Sequence, residues 1–309
     1  MAKGYLLIVL SGTLTSIMVA VRKKYELSVN ATVVKSLFYM LVSSVLVCAI
    51  GLIYSLFTDF YLFKNLDLFV IVVSIVFSII LTVNTSLCIF AAKYGSLAVA
   101  SIFATLGTLV ISTIYGLISN PERNHLNVFN IVAFALVFTI IILSFIDKRN
   151  KNQNEVEHKN KKIFSILCIL IFLFNGSALS VYSLFTTKRP EYGSINFIFV
   201  YLFFSVILSL IVISIFIIFK RKYLDEIREC IGYKPILNSC LYGLIFMLAE
   251  FCALLNTSIL PITIQAPLSF AFSVILIAFV DYFIYKQKLN PIQIIEIILA
   301  LISGVLFAI

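Results

Sequence analysis

Ten long apolar segments follow one another along this 309-residue chain, and they constrain its fold more than any other feature. Their approximate limits are residues 4–21, 30–56, 68–91, 96–118, 127–146, 163–185, 194–219, 235–258, 262–285 and 290–309. Each has about the 20 residues that a helix needs to cross the hydrocarbon core of a bilayer. Because lipid offers the backbone no hydrogen-bond partner, each segment is predicted to be helical. The sequence thus predicts an all-α polytopic membrane protein with ten transmembrane helices.

The composition excludes a soluble fold. Hydrophobic residues make up 62% of the chain and charged residues 12%, whereas soluble domains have about half and about a quarter. The net charge of +9 is explained by Lys and Arg residues in loops on one membrane face, so it does not indicate a nucleic-acid partner. No cleavage-like site follows the first segment, which is therefore interpreted as a retained helix.

A polar stretch divides the ten segments into two sets of five. It covers residues 147–162, reads DKRNKNQNEVEHKNKK, and is predicted to be a solvated linker. With an odd number of helices in each half, the halves insert in opposite directions and form an inverted repeat. The predicted organisation is a first five-helix repeat over residues 1–146, the linker, and a second five-helix repeat over residues 163–309.

Spacing supports a duplication at the end of the third segment in each half. When residues 91–117 are aligned with residues 254–280, Leu97 falls on Leu260, and residues 126–127 then fall on residues 289–290. Few residues are identical between the two stretches, so the duplication is inferred from their spacing. Membrane chains built from two such halves are typically transporters with a substrate cavity between the halves.

Basic residues are distributed unevenly between the predicted loops. Five Lys and Arg residues lie on the side of the N-terminus and seventeen on the opposite side. The positive-inside rule therefore places the linker in the cytoplasm and both termini outside. Within residues 220–234, Leu224, Ile227 and Ile231 have helical spacing, which fits either a short amphipathic helix on the membrane surface or an ordinary solvated loop.

This arrangement resembles the drug/metabolite transporter superfamily, in particular its EamA-type members. The resemblance is carried by residues 92–101 (AKYGSLAVAS), by Pro261 and Pro267, and by the closing run 289–309 with Gly304. It implies ten helices in two inverted halves and the transport of small metabolites, amphiphilic drugs, amino acids or sugar conjugates.

Three departures from that family are visible. Asn124 and Gln287 stand where members commonly have Glu, and Glu296 stands where they often have Gly. Bacterial members are generally drawn with both termini in the cytoplasm, which is opposite to the orientation that the charge count predicts.

Glu250 is the deepest charged residue of the apolar segments. It lies about 4–5 Å of helical rise from the centre of the eighth segment, where a charge costs a few kcal/mol. We expect its carboxylate to line a central cavity and either bind a cationic group or carry a proton. The alternative is a structural carboxyl that is protonated or hydrogen-bonded to a neighbouring helix. For Glu296, in the last segment, a structural or dimer-contact role is expected.

Uncharged polar residues complete the predicted substrate-binding set. The amides Asn84, Asn175 and Gln265 need hydrogen-bond partners that a ligand could supply. Ser180 belongs to a stripe of small residues on the sixth segment. No Walker loop, GxSxG or HExxH motif occurs in the sequence, so neither catalysis nor a metal or other cofactor is expected.

The resulting hypothesis is a multi-pass secondary transporter of the cell membrane that moves a small organic metabolite or drug-like solute by alternating access. Protons are a candidate coupling ion, and a homodimer is a candidate assembly. The alternative is a flippase-like carrier of a lipid-linked sugar or another amphiphile. The predicted cavity is lined by the first, third, fourth, sixth, eighth and ninth segments. An intramembrane enzyme or a scaffold is disfavoured, because no nucleophile or metal cluster appears and a scaffold needs no inverted duplication.

Overall fold

The computed structural model describes residues 2–57, 66–94, 97–119, 127–146, 155–260, 262–284 and 291–308. Within these ranges the chain is almost entirely helical and contains no strand. Each of the ten predicted segments coincides with a helix. These helices are α1 (Ala2–Val29), α2 (Val33–Phe57), α3 (Leu68–Ala91), α4 (Leu97–Ser119), α5 (Val128–Ile146), α6 (Glu155–Lys188), α7 (Ser194–Phe219), α9 (Tyr233–Ile259), α10 (Ile262–Phe279) and α11 (Pro291–Ala308). A short additional helix, α8 (Lys222–Cys230), precedes α9.

Seven of these helices are long and apolar enough to cross a membrane, namely α1, α2, α3, α4, α6, α7 and α9. The apolar stretches of α5, α10 and α11 are shorter among the described residues. Large apolar side chains face outward, as Leu210, Ile211 and Ile215 do on α7, while Ser74 and Ser78 of α3 are buried. In a soluble protein, large apolar side chains are mostly buried and polar side chains such as serine are mostly exposed. Length, composition and exposure therefore describe an all-α chain of the multi-pass membrane type.

The predicted linker is partly helical. Residues 155–162 form the first turns of the 34-residue helix α6, whereas residues 147–154 lie outside the described part of the chain. Glu and Lys are good helix formers, and Glu155 and Glu157 stand at a helix N-terminus, where negative charge is favourable. The polar composition of these residues therefore did not exclude a helical backbone.

Helices α4 and α6 approach each other most closely at two glycines. A Cβ atom on Gly107 would lie 2.0 Å from the carbonyl oxygen of Phe172, and one on Gly176 would lie 2.4 Å from the carbonyl oxygen of Gly107. Only glycine fits at these positions, because real Cβ atoms do not approach backbone so closely. The small-residue stripe of α6 thus serves close helix packing here.

The helices pack in a regular pattern. Helix α1 packs extensively on α9 and α10, and α6 packs extensively on α3 and α4. Helices α2 and α7 contact each other, as do α5 and α11. As a result, α5 and α11 form a pair at one side, while α1, α3, α4, α6, α9 and α10 surround the centre.

Helix α8 docks on the connection between α1 and α2, so this stretch is a helix and not a loop. Thr32 Oγ1 donates a hydrogen bond to Glu226 (2.6 Å), and Lys35 Nζ donates one to Glu229 (2.5 Å). Ile227 packs into an apolar cluster with Val34, Leu37 and Ile213. These contacts place residues 30–35 and 226–230 at the same end of the bundle.

A second polar tie joins α3 to the chain just after α6. Asp67 caps α3 by accepting a hydrogen bond from the Val70 backbone N–H (2.7 Å), and Arg189 donates to the same carboxylate. The backbone hydrogen bond, followed by the contact with Arg189, lowers the pKa of Asp67 below its usual value. Residues 67 and 189 therefore lie at one end of the bundle.

Candidate functional site

A cavity of about 200 Å³ lies between six helices of the bundle. Its lining residues come from α1, α3, α4, α6, α9 and α10. These are the six segments that the sequence predicted to surround a cavity. Helices α5 and α11 contribute none of the described lining residues.

The structure brings four of the five predicted site residues together in this cavity. Asn84, Asn175, Glu250 and Gln265 all line it. Ser180 is buried in α6 but is not among the lining residues. The side chain of Glu296 lies outside the described part of the chain.

One side of the cavity is a hydrogen-bonded cluster that we call the amide wall, formed by Asn84, Thr108 and Asn175. Asn84 Nδ2 donates to Asn175 Oδ1 (2.8 Å), and Asn175 Nδ2 donates to Thr108 Oγ1 (2.8 Å) and to the carbonyl oxygen of Ala104 (2.8 Å). Helices α3, α4 and α6 are joined by these contacts. Since the protein supplies every partner of the Asn175 amide, this side chain does not require a ligand.

The opposite side is different, and we call it the charged wall, formed by Arg22, Glu250 and Gln265. These residues come from α1, α9 and α10, respectively. Three of their polar atoms, Arg22 Nε, Glu250 Oε2 and Gln265 Oε1, are buried without a hydrogen-bond partner in the protein. No other cavity-lining residue has such an atom among the described residues.

Arg22 and Glu250 face the same cavity without forming an ion pair. Among the described residues, no guanidinium nitrogen of Arg22 lies within 4.0 Å of a Glu250 carboxylate oxygen. Arg22 and Glu250 are therefore two ionisable side chains of opposite type that line one cavity without direct contact.

A tyrosine cluster holds Arg22 in place. Its Nη2 donates a hydrogen bond to the hydroxyl oxygen of Tyr242 (2.6 Å), and its guanidinium carbon lies 5.0 Å from the centre of the same ring. Tyr242 packs on Tyr39 and Tyr39 on Tyr25, with ring centres 4.9 and 4.4 Å apart. The Tyr25 hydroxyl donates to the backbone carbonyl of Lys35 (2.8 Å). The arginine is thus oriented by rigid aromatic groups that carry no negative charge.

Sequence reasoning missed Arg22 and assigned it to a loop. The first apolar segment was predicted to end at residue 21, whereas α1 continues to Val29. A signal was present, because Ser11, Thr15 and Arg22 have the i, i+4, i+11 spacing of one helical face. Extending the helix by two turns puts Arg22 on the same face as Ser11 and Thr15.

Gln265 has one partner and one free acceptor. Its Nε2 donates to the carbonyl oxygen of Ala253 on α9 (3.2 Å), while Oε1 is buried without a donor. The side chain is 2% exposed. It can therefore accept a hydrogen bond from a group in the cavity.

A second cavity, of about 190 Å³, has different chemistry. It lies between α2, α7 and α9 and is lined by Ile50, Tyr54, Ile195, Ile198, Phe199, Met247, Leu248 and Phe251. No charged residue takes part in this lining. Helix α9 thus presents an apolar face to this cavity and Glu250 to the central one.

The lining of the central cavity combines ionisable, aromatic and other apolar side chains. Among the described residues, no group of three or more His, Cys, Asp and Glu side chains has metal-binding geometry. Three aromatic rings, those of Phe77, Tyr182 and Phe246, face the cavity together with the two charges. A solute with polar ends and an apolar body would find a partner for each part.

Comparisons with known proteins do not assign this chain to a family. No family model matches the chain, and no curated protein matches it. A solved structure described as "Crystal structure of protein" is 12% identical, covers 96% of this chain and 97% of its own, and has a TM-score of 0.47.

Proposed function

We propose that the protein is a secondary transporter of the drug/metabolite transporter type, which moves a small organic solute through the central cavity by alternating access. The observation that carries this proposal is a charged cavity enclosed by six helices drawn from both halves of the chain. Ionisable side chains inside an otherwise apolar bundle are costly and are typical of solute or proton pathways.

The packing pattern supports an inverted repeat of two five-helix halves. If α1, α2, α3, α4 and α5 correspond to α6, α7, α9, α10 and α11, most contacts occur in equivalent pairs. The contact of α1 with α9 corresponds to that of α6 with α3, and α4 with α6 corresponds to α10 with α1. In this correspondence α2 is equivalent to α7 and α5 to α11, so each of these contacting pairs would lie on the twofold axis that relates the two halves. The extensive contact of α10 with α11 is an exception, because α4 packs little on α5.

The contacts at the two ends also agree with the proposed topology. Residues 30–35 and 226–230, which meet at α8, both belong to the Lys- and Arg-rich side. Asp67 and Arg189 meet at the other end, where few basic residues occur. We therefore propose that the α8 end is cytoplasmic. A single cysteine at position 155 should resist an impermeant thiol reagent in intact cells, and labelling there would reverse the orientation.

Glu250 has one of two roles in this proposal: it binds a cationic part of the solute, or it carries the coupling proton. In either case its carboxyl must be reachable from the cavity, and Oε2 has no partner that would hold it elsewhere. The small cavity volume favours a small metabolite over the bulky head group of a lipid-linked sugar.

Counterflow in proteoliposomes tests the proposal. Purified protein is reconstituted, the vesicles are preloaded with an unlabelled solute, and entry of the same labelled solute is followed for a panel of metabolites and drug-like cations. An alternating-access carrier accelerates labelled entry when the opposite side is loaded. If folded protein shows no accelerated exchange with any member of the panel, or a flux that preloading leaves unchanged, the transporter proposal fails.

A further inference from the structure

We propose that the central cavity binds a small zwitterionic solute, with the anionic group of the solute on Arg22 and its cationic group on Glu250. This inference rests on the proposed transport function and specifies the substrate class of the same cavity.

Arg22 requires an anionic partner that the described part of the chain does not supply. A guanidinium does not lose its proton in proteins, so Arg22, which is half-buried, stays charged. Its one hydrogen bond from Nη2 goes to a neutral phenol, that of Tyr242, and its buried Nε–H has no acceptor. A charge that is partly removed from water and has no counterion is destabilising, although less so than a fully buried one. A carboxylate accepting two parallel hydrogen bonds is the ligand that the guanidinium fork matches best.

Glu250 presents the complementary need. Its Oε2 is buried without a donor, and none of the described basic side chains forms an ion pair with it. An ammonium group supplies both the donors and the charge. Gln265, on the same wall, offers the unpartnered acceptor Oε1, and a primary ammonium has three N–H groups to share between two such acceptors.

The separation of the charges points to one solute that carries both groups. If Arg22 and Glu250 paired with each other, neither side chain would need a charged group from the solute. Instead both line the cavity with more than ion-pair distance between them. A solute with an anionic and a cationic group close together fits between the two side chains and neutralises both, whereas a solute with a single charge leaves one of them buried and unpaired.

The size of the cavity limits the solute. Its volume of about 200 Å³ is below the range of about 300–1,000 Å³ that is typical of sites for drug-sized ligands. The rings of Phe77, Tyr182 and Phe246 provide apolar contact for the rest of the molecule. A free amino acid with an apolar side chain has the required charges and dimensions.

The first experiment compares matched probes on the wild-type protein. The twenty standard amino acids are screened by thermal stabilisation of the full-length protein and by counterflow in proteoliposomes. Each amino acid that binds is then compared with its decarboxylated amine and its deaminated acid; for valine these are 2-methylpropylamine and 3-methylbutanoate. We expect at least one amino acid to bind, and each single-charge analogue to bind at least tenfold more weakly.

Two variants assign the ends of the solute. Arg22→Gln should reduce amino-acid binding at least tenfold, reduce binding of the acid analogue, and leave the amine analogue unaffected. Glu250→Gln should show the reverse pattern, weakening the amine analogue but not the acid. Exposed residues of like charge provide the controls, so Lys24→Gln and Asp225→Asn should leave all three probes unchanged. If Arg22→Gln does not fold, the wild-type analogue series decides alone.

The outcomes separate this inference from the transport proposal. Counterflow of a singly charged solute, with no binding of any amino acid, overturns the zwitterion site and leaves the transporter standing. Binding of a single-charge analogue as tightly as its parent amino acid also overturns the zwitterion site and leaves the transporter proposal standing. Absence of counterflow for every solute overturns both.

Discussion

The two walls of the central cavity, which the proposed repeat would make equivalent, use polar residues in opposite ways. On the amide wall, Asn175 has a protein partner for each of its donors and for its acceptor. On the charged wall, Arg22, Glu250 and Gln265 each keep a buried polar atom without a partner. The helices of one wall are the proposed repeat partners of the helices of the other, so the difference arises from side chains and not from topology.

This contrast separates polar groups that hold the structure from those that can bind a solute. A buried hydrogen-bond group that is satisfied internally stabilises helix packing and has little left to offer a ligand. One that is left unsatisfied destabilises the empty protein, and a bound solute removes that cost. We therefore expect substitutions on the amide wall to lower stability, and substitutions on the charged wall to lower transport.

The largest effect is expected for Glu250→Gln. The substitution keeps shape and hydrogen-bonding capacity and removes the charge, so solute exchange should fall at least tenfold while the thermal unfolding temperature stays the same or rises. Proteoliposome exchange measured at several pH values, together with thermal unfolding, tests this, with Asp225→Asn as the control. Exchange at the wild-type rate with the same pH profile would show that Glu250 is not the site, and Asn84, Asn175 and Gln265 would be tested next.

The next largest effect is expected for Gly107→Ala, which tests the packing behind the amide wall. The new Cβ would stand 2.0 Å from the Phe172 carbonyl oxygen, so α4 and α6 must separate, at a cost of about 1–3 kcal/mol or more. The yield of monodisperse protein and its unfolding temperature should both fall. Gly232→Ala is the control, because its nearest neighbour would be 3.4 Å away. Equal stability of the two variants would contradict the close contact of α4 with α6.

A smaller loss of stability is expected for Asn175→Leu. Three hydrogen bonds between helices disappear, and at the values measured for such bonds in membrane proteins this amounts to about 2 kcal/mol. Exchange per folded molecule should remain within about twofold of wild type, a range worth only a few tenths of a kcal/mol. Unfolding in denaturing detergent and exchange normalised to folded protein provide the measurements. A variant of normal stability but no exchange would move Asn175 to the solute site.

The smallest effect is expected for Gln265→Leu. The substitution removes one hydrogen bond of 3.2 Å together with one unsatisfied buried acceptor, so the two changes in stability nearly cancel. Exchange should fall several-fold because the solute loses one acceptor. The result that would break the comparison is a clear loss of stability with unchanged exchange, which would make Gln265 a structural residue like Asn175.

The helices were predictable because each depends on a local property of the chain. A run of about 20 apolar residues specifies a helix in lipid whatever surrounds it, and all ten predicted segments were confirmed as helices. The spacing of Leu224, Ile227 and Ile231 left both a helix and a loop open, and the structure has helix α8 there, which ends at Cys230. Helix ends were less accurate, at residues 22–29 and 155–162, because polar residues at helix ends do not prevent the helix from continuing.

The candidate site was only partly predictable. Glu250 was found because a charge deep in an apolar segment is rare and costly. Arg22 was not found, since it lies beyond the apolar run that defined the first segment. Ser180 was included because a stripe of small residues is the same pattern whether it faces a cavity or a neighbouring helix.

The sequence by itself determined the membrane class, the number and order of the apolar helices, and the presence of polar residues inside them. These follow from hydropathy and from the need of every backbone group for a hydrogen bond in lipid. Only the tertiary structure decided which polar side chains satisfy one another. Asn84 and Asn175 are 91 residues apart and bond directly, while Arg22 and Glu250 face one cavity and do not pair. That distinction depends on distances between helices, which no local pattern in the chain encodes.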